Sequence, residues 1–349
     1  MSGEAKAGSD AQRAPDRDTA SGPAAAAPAN WPGGGRREPL PWHRPKEAED
    51  DPLAHDRVQA ILQGKSYRLA DEDVDFLARD DLRGLRLQLD YYKTQLQLEQ
   101  QGVEHTIVVF GSTRIAEPAA ARRALRLLKT QAGELPDAEA QALRCQRIAV
   151  AERIQAKSHY YDIARELGQR IAQAGNGPGD TRVMVMTGGG PGIMEAANRG
   201  AFDAGAKSIG LNIALPHEQY PNPYITPELC LRFHYFALRK LHFVMRARAL
   251  VAFPGGYGTF DELFETLTLI QTRKIDPVPV VLVGRQYWRR AFDVDFLVDE
   301  GVIAAEDREL FWYAESAAEI WDSIVQWHRN NGTPLYPDQT PGPAAPEPP

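Results

Sequence analysis

Cysteine is almost missing from this chain: Cys145 and Cys230 are the only two in 349 residues. Two thiols exclude a disulfide scaffold and a four-cysteine zinc site, and they suit a reducing compartment. No two of the eight histidines stand four apart, so the two-histidine helical metal pattern is missing too. The chain has no apolar run long enough to span a bilayer, and its first 30 residues contain no apolar core of the signal-peptide kind. The cytoplasm is therefore the expected compartment, with no membrane partner. Basic residues, 40 in all, are outnumbered by 47 acids, giving a net charge of -7, and they form no continuous stripe. That balance excludes a general nucleic-acid binder and leaves open a small anion held by local geometry. With 43% hydrophobic residues, the chain is long enough for one large domain or two ordinary ones.

Residues 1–56 are rich in Ala, Pro, Gly and charge, and residues 331–349 in Pro, Gly and acids; both are expected to be disordered tails. Trp31 and Trp42 in the first tail read as chance placements, with docking on a partner or on the protein's own surface as the sharper alternative. Residues 57–101 are expected to be helical. There Leu82, Leu85, Leu89, Tyr92 and Leu96 follow a capping Asp80 in steps of three and four. That stripe predicts packing on the neighbouring domain or a dimer contact. From residue 102 to 330 strands and helices alternate. A strand at Thr106–Phe110 enters a Gly111-Ser112 turn, and a helical insertion covers 117–157 with a break at Gly133–Pro136. A helix then runs to about Ala174, and a strand at 182–187 meets Gly188-Gly189-Gly190-Pro191-Gly192 before the helix Ile193–Ala204. Further strands are expected at 207–213, near 229–235, at 249–253 and at 278–283, with terminal helices closing the domain. This order predicts an α/β class: a Rossmann-like doubly wound parallel sheet with helices on both faces, binding its ligand at the carboxyl ends of the strands.

All three glycine-bearing turns lie at that edge. The most informative is Pro254-Gly255-Gly256-Tyr257-Gly258-Thr259-Phe260-Asp261-Glu262, entered from the strand Ala249–Phe253 and left by an apolar helix. Its glycines let the backbone approach a ligand, and the helix behind offers free N–H groups and a positive dipole end, an arrangement suited to phosphate. Glu262, one turn into the helix, would place a carboxylate beside that anion. Thr259 and Glu262 also have the spacing of a capping box, so on spacing alone the cradle and the cap both stand. Gly188–Gly192 lacks the third glycine of a dinucleotide fingerprint, and no acid closes the next strand near Asn212, which disfavours NAD. Gly205-Ala206-Lys207-Ser208 fails as a P-loop because Lys207 opens a strand, and the serine-hydrolase elbow is absent. Lys240 as a Schiff-base lysine has only a neighbouring arginine to support it. His234 and His242 read as core or surface residues.

Thr187–Ala196, Arg239-Lys240 and the Pro254–Glu262 signature together resemble the Lonely Guy family of nucleoside monophosphate phosphoribohydrolases, proteins often mislabelled lysine decarboxylases. The resemblance covers roughly 105–325. Its longer bacterial members are also similar at Tyr160-Tyr161, Asn222-Pro223-Tyr224 and Gln271-Thr272. It implies hydrolysis of the base–ribose bond of a nucleoside 5′-monophosphate, AMP or an N6-modified AMP, to free base and ribose 5-phosphate. Arg239 and Glu262 take the catalytic places. Gly255, Gly256, Tyr257, Gly258 and Thr259 would hold the 5′-phosphate, Ser112 and Gly188, Gly189 and Gly190 would line the nucleotide, and Lys240 joins the substrate-binding set. Plant-type members carry a histidine where this chain has Ala237, a departure that bears on cytokinin specificity. No metal or organic cofactor is implied, and the expected assembly is a homodimer or higher homo-oligomer. The rival reading is a nucleotide-binding or signalling module that holds its ligand without cleaving it.

Overall fold

A computed structural model of the chain describes residues 46–130, 137–215 and 220–336. Trp31, Trp42, the break at Gly133–Pro136 and the end of the second tail lie outside the described residues. The chain divides into two compact units after Phe76. Helix α1 (Ala54–Leu62) and a single 3-10 turn, Lys65–Tyr67, belong to the first, and α2 (Val74–Leu77) spans the division. No helix among the described residues is long and apolar enough to cross a membrane.

The second unit opens with α3 (Arg83–Gln100), β1 (His105–Phe110), α4 (Pro118–Thr130), α5 (Ala138–Lys157) and α6 (His159–Gln173). Strands β2 (Val183–Thr187), β3 (Ile209–Ile213), β4 (Cys230–Phe233), β5 (Ala247–Ala252), β6 (Val280–Val283) and β7 (Trp312–Ala314) join β1 in one sheet. Its seven strands, all parallel, lie in the order β4-β3-β2-β1-β5-β6-β7. Helices α7 (Ile193–Asp203), α8 (Phe236–Met245), α9 (Tyr257–Gln271), α10 (Arg285–Ala291), α11 (Val294–Asp299) and α12 (Ala317–Asn330) complete the unit. β1 shows why its residues form a central strand. Ile107 and Val109 enter one core with α6, α7 and α12, while Val108 and Phe110 enter the other with α3, α8 and α9. A strand buried on both faces needs an unbroken apolar run, and each such side chain stabilises the fold by roughly 1.5–3 kcal/mol.

The strand order positions the site. From β1 the chain winds outward through β2, β3 and β4, then returns to place β5 on the other side of β1. A crevice opens where the direction reverses, outside the carboxyl ends of β1 and β5. Phe253 N–H donates to Phe110 O at 2.9 Å and Ser112 N–H to Pro254 O at 3.0 Å, so the two exits are stitched together. On the neighbouring side α6 and α7 pack backbone to backbone. A Cβ on Gly200 would stand 1.9 Å from Arg165 O, and one on Gly168 would stand 2.2 Å from Ala197 O.

Four local expectations are corrected. Asp80 sits in a 3-10 turn and caps nothing; Leu82 occupies the N-cap of α3 without a side-chain bond. The stripe Leu85, Leu89, Tyr92 and Leu96 faces outward at 42–56% exposure, while Thr94 and Leu98 on another face are buried. β7, three residues long at the sheet edge, stands where only helices were expected. Leu335 and Tyr336, assigned by sequence to the tail, are buried in the core.

Candidate active site

The glycine turn after β5 leads directly into α9, whose first residue is Tyr257 and whose N-cap is Gly256, with no side-chain cap. Thr259 and Glu262 therefore lie inside the helix, and the capping-box alternative falls. Thr259 and Phe260 N–H both donate to Gly256 O, at 2.9 and 3.1 Å. The N–H groups of Tyr257 and Gly258 precede any intrahelical acceptor and remain available. A Cβ on Gly256 or Gly258 would meet nothing within 4 Å, so both glycines face open space. That space is a cavity of about 580 Å³ in the β1/β5 crevice. On its far side Gly192, at φ 74°, brings the β2 turn against the β1 turn: its Cβ would stand 2.4 Å from Ser112 O. Only glycine tolerates both that φ and that contact.

Arg239 and Glu262 meet in this cavity from different helices. Arg239 projects from α8 between two aromatic rings of its own helix, 4.3 Å from the Phe236 centroid and 5.6 Å from that of Phe243. Those residues, three before and four after it, share its helical face and fix the guanidinium plane. Glu262, 4% exposed, stands with Oε1 at 3.8 Å from Arg239 Nη2. That is too long for a hydrogen bond. Both Glu262 Oε1 and Arg239 Nε are buried without a hydrogen-bond partner. Burial pushes the Glu262 carboxyl up to about 7, opposed by Lys240 and Arg239. Burial lowers the Arg239 guanidinium from its usual value, opposed by Glu262 and Asp261. An unpartnered Glu262 Oε1 and an unpartnered Arg239 Nε on the cavity lining are placed to pair with a ligand.

Known proteins similar to this chain point to one family. Residues 194–324 match the family described as possible lysine decarboxylase. The cytokinin riboside 5′-monophosphate phosphoribohydrolase LOG of Oryza sativa subsp. japonica is 31% identical over 168 residues, 47% of this chain and 65% of that protein. The enzyme LOG7 of Arabidopsis thaliana is 32% identical over 178 residues, 49% of this chain and 76% of its own length. The chain belongs to the Lonely Guy family. Its match to the rice member spans just under two thirds of that protein. Among solved structures, the Moco carrier protein of Chlamydomonas reinhardtii is 20% identical over 65% of this chain and 99% of its own, with a TM-score of 0.36.

Of the residues that the Lonely Guy resemblance points to, Ser112, Gly188, Arg239, Gly255, Gly256, Gly258, Thr259 and Glu262 line the one cavity. Gly189 and Gly190 stand behind the lining and shape the turn. Gly189 N–H donates to Thr187 Oγ1 at 3.0 Å, and Gly190 O accepts from Asn222 Nδ2 at 3.1 Å. Buried Asn198 ties these together, its Oδ1 accepting from Thr187 Oγ1 and from Asn222 Nδ2. Tyr257 projects outward at 95% exposure, outside the lining. Lys240 also lies outside it, because Asp261 Oδ1 at 2.9 Å and Glu265 Oε2 at 3.1 Å hold its ammonium. Burial pulls Lys240 down, but those two carboxylates outweigh it and the net shift is upward. A Schiff base at Lys240 would have to form away from the cavity. His242 is a core residue, 1% exposed between Tyr91 and Phe233, while His234 is exposed.

The sequence reading missed Lys157, Asn212, Phe236, Phe243 and Tyr287, all of which line the cavity. Asn212 carried a signal, since it stands at the carboxyl end of its strand. So did the two phenylalanines, at helical spacing around Arg239. Lys157 and Tyr287 arrive from α5 and α10, and only the assembled fold reveals them.

Proposed function

We propose that the protein hydrolyses the N-glycosidic bond of a nucleoside 5′-monophosphate, AMP or an N6-modified AMP, giving free base and ribose 5-phosphate. One observation carries this reading: a buried, unpartnered carboxylate at Glu262 faces the same cavity as a bare glycine cradle. The cradle supplies backbone N–H groups and a helix dipole to the 5′-phosphate. When the base leaves with the bonding electron pair, positive charge develops on the ribose ring, and an adjacent carboxylate stabilises it. Glu262 then accepts a proton from the water that attacks C1′, and that proton passes on to the departing base, which leaves as the neutral free base while the carboxylate is restored. Arg239, charged at any working pH and held flat by Phe236 and Phe243, orients the phosphate or the departing base. A dimer belongs to the same reading, supported by the outward apolar row Leu85, Leu89, Tyr92 and Leu96 on α3.

Incubation with AMP, GMP, CMP, UMP and N6-prenylated AMP, with ribose 5-phosphate as the readout, tests the proposal and identifies the base. Release from AMP or its N6 derivative is expected, falling by roughly 10²–10⁴ in Glu262→Ala. Tight binding with every nucleotide left intact would replace the enzyme with a nucleotide-binding protein.

A further inference from the structure

We infer that Lys157, the last residue of α5, is the cation that grips the substrate's phosphoryl group. The inference rests on the reading of this cavity as a nucleoside monophosphate site. A phosphate monoester carries close to two negative charges at neutral pH. At the cradle the turn offers it backbone N–H groups and Thr259, Arg239 faces the Glu262 carboxylate at 3.8 Å, and Lys240 is held by Asp261 and Glu265 outside the lining. A cation free of any carboxylate has to come from another part of the lining.

Lys157 meets the requirements of place and of charge. It is half-buried and lines the main cavity together with Gly255, Gly256, Gly258 and Thr259. It also lines a second cavity of about 640 Å³ that it shares with Tyr287 and Phe260. The Tyr287 hydroxyl donates to Gly255 O, and Phe260 follows the cradle in α9. The wall that Lys157 and Tyr287 form between the two cavities therefore stands on the cradle side. Among the described residues Lys157 has no carboxylate partner. Its Nζ donates only to Arg153 O, at 3.3 Å and one turn back on its own helix, a weak bond that a phosphate oxygen can replace. Arg239 faces Glu262, and among the described residues Arg114 is the other lining cation without a carboxylate partner, but it is exposed, follows the β1 turn and takes no part in the second cavity. Lys157 also ends a helix that precedes the residues matched by the family, 194–324, so a segment outside that match contributes a wall and a charge to the site. The structural alternative is a lysine that merely complements the C-terminal dipole of α5. That role predicts a lower melting temperature and unchanged ligand affinity.

Two measurements separate these roles: steady-state kinetics with AMP, and calorimetric titration with ribose 5-phosphate and with inorganic phosphate. Both are made on Lys157→Ala, Lys157→Arg, Arg114→Ala and wild type. Lys157→Ala is expected to raise KM roughly 10–100-fold with kcat within about twofold, and to weaken ribose 5-phosphate by a similar factor. Lys157→Arg restores most of the affinity, and Arg114→Ala changes little. Unchanged KM and unchanged ribose 5-phosphate affinity in Lys157→Ala would overturn the assignment, as would the larger effect falling on Arg114→Ala. Wild-type protein that binds ribose 5-phosphate but cleaves no nucleotide would remove the hydrolytic reading and leave Lys157 to be judged by titration. Wild-type protein that binds no phosphate ester would remove both.

Discussion

Glu262 is held where a carboxylate is costly: 4% exposed, its Oε1 unpartnered, and Arg239 no nearer than 3.8 Å. Burial raises its pKa from 4.5 to about 7, so the folded protein binds that proton more tightly than the unfolded chain does. The resulting stabilisation is fully present below pH 4.5 and is lost as pH rises through 7. Glu262→Gln keeps the shape and removes the charge. At pH 8 this variant is expected to be more stable than wild type by on the order of 2 kcal/mol, after discounting for solvent screening. The gain should shrink from pH 7 downward and vanish below 4.5, while turnover falls at every pH. Wild-type kcat/KM should in turn rise through about pH 7 as the carboxylate ionises. Thermal melts at pH 4, 6 and 8 beside a pH–rate profile check both halves. A glutamine variant that melts no higher than wild type at pH 8 would show that the acid is not strained.

Helix α3 lies outside the part of the chain that the family signatures cover, yet it holds the helix that carries Arg239. Asp90 of α3 accepts from the backbone N–H groups of His234 and Tyr235, each at 2.8 Å, and Tyr235 is the N-cap of α8. Arg86 Nε donates to the Tyr235 hydroxyl at 3.1 Å. Asp90→Ala should therefore lower stability by roughly 1.5–3 kcal/mol, the scale of hydrogen bonds to a charged acceptor, and should reduce kcat through a loosened Arg239. Asp90→Asn, with one amide oxygen left to accept, should recover part of both; denaturant titration and AMP turnover report the two effects. None of these three bonds was legible in the sequence, because each joins residues more than a hundred positions apart. The alternation of strands and glycine turns was legible, since period and turn chemistry are local, and so was the convergence of Arg239, Thr259 and Glu262 at the carboxyl edge. The packed face of α3 was not. Its helix carries apolar residues on two sides, Leu85-Leu89-Tyr92-Leu96 and Leu87-Tyr91-Leu98, and periodicity alone does not choose between them. Lys240 was misplaced for a related reason: whether a lysine points at a ligand or at Asp261 and Glu265 depends on how α8 and α9 meet.

Across the whole molecule, the pH dependence of stability combines opposing groups from both faces of the sheet. Burial pushes His242 down to about 4, and it also lowers His105 and His328. The unfolded chain binds protons at these histidines before the folded one does, so they reduce stability as pH falls below 6.5, and His242 does so down to about 4. Glu262 acts in the opposite direction between 7 and 4.5, because there the folded state is the better proton binder. Over the shared interval the two shifts offset each other, and removing either should expose the other. Neither ring nitrogen of His242 makes a well-formed hydrogen bond, so His242→Leu sacrifices at most a weak contact with the Tyr91 backbone at neutral pH. Relative to wild type, His242→Leu should gain stability steadily from pH 6.5 down to 4.5, whereas Glu262→Gln should lose its advantage over the same interval. The double variant should track wild type most closely in slope, since it lacks both terms. Urea denaturation of the four proteins at half-unit steps from pH 4 to 8 reads these slopes directly, and carboxylates common to all four cancel in the differences. Parallel curves for wild type and His242→Leu would mean that His242 titrates alike in the folded and unfolded states.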